Sequence, residues 1–328
     1  MDHEAAVFQP LTGDPLAPRS LQEFVGQPLI VRQLALELSA ALREGRMPRH
    51  CLLYGGPGLG KSTLGEVLWR ELDQRWHPVD IYRTSGPEFD TITRTRETLW
   101  LLARGGNPVV VLMDECDALP RAPAYMWFAV LTHNAFSGGG RMVNLPPLCL
   151  VATTNHTARL PTALRSRFAL RLPFTYYPPE DLAAIAKASA ARLGLTMGEE
   201  AATHLGANSG GEPRRVLQIV QTAATLSKTV DLETAKEAIE VLDLFPRGLS
   251  RLQVDYLLAL SNTRPKQTAG LQTLAGTLGE DAGDLRLEAE PYLLRSGLVR
   301  VAAGGRQLAE RGLAYLDALR AEGLVVPV

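Results

Sequence analysis

Cysteine is scarce in this chain, and its placement rules out cysteine-based metal chemistry. Cys51, Cys116 and Cys149 are the only three in 328 residues, and no two stand at metal-ligand spacing. Each falls in or beside an apolar run, so they read as small buried hydrophobes. Cys116 lies inside "DECD", but nothing around it makes it a nucleophile. An excess of one charge is missing too. Thirty-four Lys and Arg balance 35 Asp and Glu, a net of −1, so no global basic field advertises a nucleic-acid partner. No apolar run approaches the roughly 20 residues that span a bilayer. The opening "MDHEAAVFQPLTGD" is acidic and polar, unlike a secretory signal. The expectation is a cytoplasmic protein with no membrane contact. Repeats and low-complexity segments are absent as well, and the length suggests two or three domains.

What is present is an alternation of short β-rich runs with longer helical stretches. The runs are "HCLLYGG" (50–56), "VDIYRTSG" (79–86), "NPVVVLMDEC" (107–116), "LCLVATTN" (148–155) and "RLPFTYY" (171–177). Between them lie stretches such as Ser62–Leu72, where Leu64, Val67, Leu68 and Leu72 share one face. Unbroken apolar strands separated by helices predict an α/β fold with a parallel sheet covered on both sides. After "YYPPED" the chain turns helical to about Leu242, cut by "LGLTMGEE" and "NSGGEPRR"; Glu212–Pro213 marks a helix start, with Val216, Leu217, Val220 and Ala224 facing inward. Beyond "DLFPRG" (243–248), three helical stretches precede "GLVRVAAGGRQLAERG", two short strands around a Gly-Gly turn. Helix, helix, helix, hairpin is the winged-helix pattern. The expected domains are 1–177 for the sheet, 178–245 for a helical lid and 246–328 for the winged helix.

The densest signal is "LLYGGPGLGKST" (52–63), in which Gly55-x-x-x-x-Gly60-Lys61-Ser62 fits the P-loop pattern. Glycines let successive backbone N–H groups wrap an anion at φ values other residues avoid. The following helix adds its N-terminal partial charge. Gly56, Gly58, Leu59, Gly60, Lys61, Ser62 and Thr63 are the expected cradle for a nucleotide. Lys61 would reach the β- and γ-phosphates, and the Ser62 hydroxyl would ligate Mg²⁺. In "VVVLMDECD" a strand ends in Asp114 and Glu115. There Asp114 would hold the metal through water, and Glu115 would polarise the attacking water. "LCLVATTN" ends a third apolar strand, so Thr154 or Asn155 could bond the water or the γ-phosphate. "LRSRF" supplies Arg165 and Arg167, and Arg167 is the candidate to reach a neighbouring subunit's site. Arg214, at the helix start in "GGEPRR", could contact the γ-phosphate from the lid.

In this order these elements are the signature of an AAA+ ATPase. "LAPRSLQEFVGQ" (16–27), "TSGPE" (84–88), "DLFPRGLSRLQVDYLLAL" and "EPYLLRSGLVR" extend the match, and the chain resembles the RuvB family of Holliday-junction branch-migration motors from about Leu16 to Leu316. The resemblance implies ATP and Mg²⁺ as cofactors and a ring of subunits, usually a hexamer, with the nucleotide between them. It implies a winged helix on double-stranded or branched DNA and a RuvA-like protein partner. It places Val25, Gln27 and Ile30 near adenine and favours Thr154 over Asn155. It also carries the roles of Lys61, Ser62, Asp114, Glu115, Arg167 and Arg214. The family's partner-docking hairpin corresponds to a short "NAFSGGGRMVNLPP" (134–147). Residues 246–328 hold ten Lys or Arg against nine Asp or Glu, a net of +1, weak for a DNA clamp. Arg264, Lys266, Arg300 and Arg306 are the candidate phosphate contacts. Two loads stay open at this point: DNA translocation, or loading and remodelling of a protein partner. A non-catalytic nucleotide switch is a third reading, against which the presence of Glu115 argues.

Overall fold

Five of the apolar runs become the strands of one parallel sheet: β1 (Cys51–Tyr54), β2 (Asp80–Ser85), β3 (Val109–Asp114), then, after a hairpin of β4 (Ala135–Gly138) and β5 (Arg141–Asn144), β6 (Leu148–Thr154) and β7 (Leu170–Pro173). The structure, a computed structural model, describes residues 14–262 and 268–325. The sheet order is β2-β3-β6-β1-β7. Alternate residues of β3 serve opposite cores. Val110 and Leu112 pack on the side of Leu64, Val67, Leu68 and Leu72, whereas Val109, Val111 and Met113 pack toward Leu99, Leu102 and Trp127. Burial on both faces is why β3 and β6 are apolar throughout rather than alternating. The helices that cover them are α1 (Pro28–Glu44), α2 (Lys61–Arg75), α3 (Ile92–Gly105), α4 (Arg121–His133) and the short α5 (Thr162–Arg165). All three cysteines are buried and free.

Segment 134–147 is a hairpin, short as it is. Gly139 and Gly140 take φ values of +61° and +77° at its two-residue turn, the left-handed pair that lets two strands close tightly. Asn134, itself at φ +50°, donates its side-chain amide to the carbonyls of Leu145 and Pro146 and pins the excursion at its root.

Four helices follow: α6 (Pro179–Arg192), α7 (Glu199–Ala207), α8 (Pro213–Leu226) and α9 (Leu232–Val241), with a small parallel pair of β8 (Thr196–Met197) and β9 (Thr229–Val230). Helix α8 starts at Pro213 as the sequence suggests, and Val216 and Val220 are buried. Its inner face is rotated slightly from the expectation: Ile219 and Ala223 complete it, while Leu217 turns toward the phosphate loop.

The last block has its own core around Val254, Tyr256, Leu257, Leu293 and Leu316. It begins with a hairpin, β10 (Leu244–Phe245) and β11 (Leu249–Ser250). Then come α10 (Arg251–Ser261), α11 (Leu271–Leu278), α12 (Ala282–Asp284) and α13 (Glu290–Arg295), the wing strands β12 (Val299–Ala302) and β13 (Gly305–Leu308), and α14 (Glu310–Ala321). Ser250 and Gln253 form a reciprocal cap on α10. A π-turn over Leu285–Ala289 joins α12 to α13. Pro291 lacks an N–H and cannot extend an α-helical ladder, so a wider turn precedes it. Helix α14 is an addition to the expected pattern.

Candidate active site

At the carboxyl edge of the sheet the chain leaves β1, the strand lying between β6 and β7, and enters the phosphate loop. Gly55, Gly58 and Gly60 stand at φ +148°, +71° and +88°. A methyl on Gly55 would lie 2.5 Å from the Phe174 carbonyl oxygen, so that position needs glycine for space as well as angle. The loop opens into a cavity of about 500 Å³ whose walls include Gly58, Gly60, Lys61, Ser62, Thr63, Asp114, Glu115, Asn155 and Arg214.

Lys61 is 8% exposed and folds back on the loop. Its ammonium donates to the carbonyls of Gly55 (3.0 Å) and Gly56 (2.6 Å) and to Asn155 Oδ1 (2.9 Å). Burial pulls it down to about 8, with Asp114 holding it up and Arg214 pushing it further down. A buried ammonium resting on carbonyl oxygens is a cation waiting for a better anion. Ser62 Oγ donates to Asp114 Oδ1 at 2.6 Å, and Thr153 Oγ1 donates to the same oxygen at 2.7 Å. This is a set of hard oxygen donors around one carboxylate. Among the described residues there is no cluster of three His, Cys, Asp or Glu. One carboxylate beside two hydroxyls suits Mg²⁺, which takes one or two protein oxygens and completes its shell with phosphate and water.

Glu115 is exposed on the cavity wall with its backbone in the left-handed region at φ +50°. Gly86 of "TSGPE" supports it: a methyl there would lie 2.2 Å from the Glu115 carbonyl oxygen. Glu88 in turn accepts from Thr84 Oγ1 (3.2 Å) and Ser85 Oγ (3.0 Å), which ties that turn together.

The end of β6 corrects one expectation. Thr154, favoured for the phosphate side, is 1% exposed; it donates to Asp117 Oδ1 at 2.5 Å and accepts from the His156 amide. Asn155 and Thr153 occupy the cavity wall instead. Successive strand residues point to opposite faces, so Thr153 and Asn155 share a side that Thr154 cannot. Cys116 is buried, and burial pushes its thiol well up.

Arg214 reaches the cavity from α8, and its amide bonds the Gly58 carbonyl at 3.2 Å, which docks the lid on the loop. Beside the main cavity a smaller one, about 70 Å³, is lined by Val25, Phe24, Thr63, Tyr177, Ile185, Ser189 and Leu217 among others. Val25 thus stands on the wall of this side cavity. Gln27 and Ile30 are not on its wall. Gln27 is clamped to the Thr175 backbone through both side-chain atoms, and Ile30 is buried in the core. Ser189 Oγ lies buried with no hydrogen-bond partner in the structure.

Arg167 is outside its own cavity. It is exposed, with its guanidinium 4.7 Å from the centre of the Phe128 ring. In the wing, Arg300 is exposed and bonds Gln307 across the hairpin. Arg306 is committed inward: its guanidinium grips Glu290 at 2.6 and 3.1 Å, and Glu290 is 4% exposed. Its role as a free phosphate contact is thereby corrected. Arg264 and Lys266 lie outside the described residues.

Residues that sequence reasoning passed over include Thr153, Asp117, Tyr177, Gln218 and Gln221. Strand alternation could have found Thr153. Tyr177, whose hydroxyl donates to the Leu59 carbonyl at 3.2 Å, carried no local signal.

The comparisons with known proteins agree with this geometry. The family model described as the Holliday junction DNA helicase RuvB P-loop domain matches residues 16–173, and the RuvB C-terminal winged helix domain matches 246–317. The Holliday junction branch migration complex subunit RuvB of Thermobifida fusca is 32% identical over 326 residues, covering 95% of this chain and 91% of that one. Its counterpart from Corynebacterium aurimucosum is 31% identical over 323 residues, covering 94% and 87%. Among solved structures, the Thermotoga maritima RuvB Holliday junction branch migration motor superposes with a TM-score of 0.79 at 28% identity, covering 96% of this chain and all of that one. The Aeropyrum pernix Orc1 protein, solved in complex with DNA, shares the fold at a TM-score of 0.55 and 19% identity, covering 94% and 96%. A nucleotide-binding P-loop, a helical lid and a RuvB-type winged helix thus stand in one chain: the protein is an AAA+ ATPase of the RuvB family.

Proposed function

We propose that this chain hydrolyses ATP with Mg²⁺ as one subunit of a hexameric ring that drives movement of branched duplex DNA. The observation that carries this reading is the joining of a phosphate site to a RuvB-type winged helix over nearly the whole chain. Amides of the loop and the start of α2 hold the phosphates, and Lys61 exchanges its carbonyl partners for them. Ser62 and, through water, Asp114 would hold Mg²⁺, whose chemistry is to neutralise phosphate charge. Glu115 and Asn155 orient the attacking water from one wall, and Arg214 closes from the lid. The orphan hydroxyl of Ser189 faces the side where the base would sit.

Arg167 supports assembly. Exposed and outside its own cavity, it suits stabilisation of a neighbour's transition state. Arg300 remains a candidate phosphate contact on the wing. The hairpin of β4 and β5, with Met142 59% exposed, is the place for a RuvA-like partner. The chain's site of action would be the cytoplasm; among the described residues no helix is long and apolar enough to cross a membrane.

The test is ATP-dependent dissociation of a synthetic four-way junction, with Lys61→Ala as control. Junction dissociation by the parent and none by the variant is expected. An ATPase indifferent to duplex and junction DNA at low salt would refute the DNA load and favour a protein one.

A further inference from the structure

Between the phosphate loop and the winged helix there is a stack that the nucleotide chemistry does not use. Tyr176, just past β7, sets its hydroxyl against the loop: a methyl on Gly56 would lie 2.5 Å from that oxygen. The Arg295 guanidinium, from the end of α13, covers the Tyr176 ring at 3.1 Å from its centre. The same guanidinium lies 4.9 Å from the centre of the Tyr292 ring. Arg295 also donates to the Gly210 carbonyl at 2.7 Å, in the glycine turn that leads to Arg214. The Tyr292 hydroxyl donates to the Arg247 carbonyl at 2.7 Å, at the root of the last block.

Each part of this stack belongs to a different unit. Gly56 and Tyr176 belong to the sheet, Gly210 to the helical lid, and Arg295 and Tyr292 to the winged helix. The glycines admit the approach. A methyl on Gly210 would meet Tyr292 at 3.1 Å, and one on Gly211 would meet Tyr176 at 3.1 Å. Glu212, largely buried nearby, supplies compensating charge; burial pushes its carboxyl up while Arg215, Arg295 and Arg214 pull it down. A planar cation stacked on a ring keeps its geometry while its in-plane donors stay available, which an ammonium cannot match.

We propose that Tyr176 and Arg295 are a positioning pair that ties the glycine half of the phosphate loop to the winged helix, so that loop occupancy is felt at α13 and the wing. The pair deepens the motor reading given above, since it supplies the mechanical link between nucleotide and load. Arg295 touches neither nucleotide nor DNA in this scheme. It acts through Tyr176 on the loop and through the Gly210 turn on the lid.

The experiment is amide hydrogen exchange of the full chain, with and without a non-hydrolysable ATP analogue, read over residues 290–300. In the parent, the analogue slows exchange there by about tenfold, the size set by one or two desolvated cation–π contacts. Arg295→Ala still binds the analogue within about threefold, because it removes no cavity residue, but exchange over 290–300 no longer responds. Arg295→Lys fails to restore the response, which separates planar stacking from charge alone. Should Arg295→Ala prove unfolded by denaturant titration, Tyr176→Phe keeps the ring under Arg295 and deletes only the hydroxyl against Gly56; it too should lose the response. A parent with no response at 290–300, or an Arg295→Ala or Tyr176→Phe protein that responds like the parent, overturns the proposal. Junction-stimulated ATPase is measured alongside. Its absence in the parent would sink the DNA reading while leaving the exchange result to decide the pair.

Discussion

Removing Arg306 should destabilise the winged helix rather than merely loosen DNA. The guanidinium is 18% exposed and the Glu290 carboxylate it grips is 5% exposed, held otherwise by the Tyr256 hydroxyl at 2.7 Å. Arg306→Ala leaves that carboxylate buried with one neutral donor. Deleting one partner of a buried pair costs about 3–5 kcal/mol, and the lower end applies here because Arg306 retains some solvent contact. On a unit of this size about 3 kcal/mol lowers the thermal midpoint by roughly 12–24 °C. Arg306→Met combined with Glu290→Leu should recover most of the loss, since no charge is then stranded. The assay is denaturant unfolding followed by the ellipticity of the full chain, with both single variants and the double. Arg300→Ala is the contrast, with stability within about 0.5 kcal/mol of the parent. An Arg306→Ala protein with the parental midpoint would refute the reasoning and return Arg306 to the surface.

Further outcomes follow from the same geometry. Glu115→Gln should bind ATP normally and lose about 100-fold or more in turnover, read by single-turnover hydrolysis. Asn155→Ala should cost turnover about tenfold or more, because it removes the side-chain acceptor of Lys61, whereas Thr154→Ser, which keeps the hydroxyl on Asp117, should leave kcat within about twofold. Burial pushes the Glu37 carboxyl up, but hydrogen bonds from Arg49 and Arg46 outweigh it and hold it at about 2. A depressed carboxyl stabilises the fold above its unfolded value of 4.5 and loses that contribution as pH falls toward 2. Discounted for arginines that are 37% and 56% exposed, the term is about 2 kcal/mol. The stability gap between the parent and Glu37→Gln should therefore close between pH 4.5 and 2 in denaturant titrations.

Much of the architecture was legible because its signals are local. The apolar runs of β3 and β6, the glycine spacing before Lys61 and the proline at the head of α8 each declare their structure within a dozen residues. The hairpin at 134–147 was legible only through the family resemblance, because its strands are too short to announce themselves. At the site, Lys61, Ser62, Asp114, Glu115 and Arg214 converge on one cavity as the motifs suggest. Thr154 was misplaced by matching motif letters rather than by counting strand alternation. Gln27, Arg306 and the Tyr176–Arg295 stack were illegible for a common reason. Their roles are set by partners far away in sequence, and polarity alone does not tell a solvated arginine from one enclosed by a carboxylate or two rings.

If each site borrows the arginine of an adjoining subunit, as proposed, mixing two defective variants should restore activity. Glu115→Gln and Arg167→Ala proteins should each be nearly inactive when alone. In an equal mixture, random assembly gives about a quarter of the interfaces both an intact Glu115 and an intact neighbouring Arg167. The account predicts that ATP turnover rises in the mixture toward about a quarter of the parental rate. A mixture as silent as its two components would contradict it.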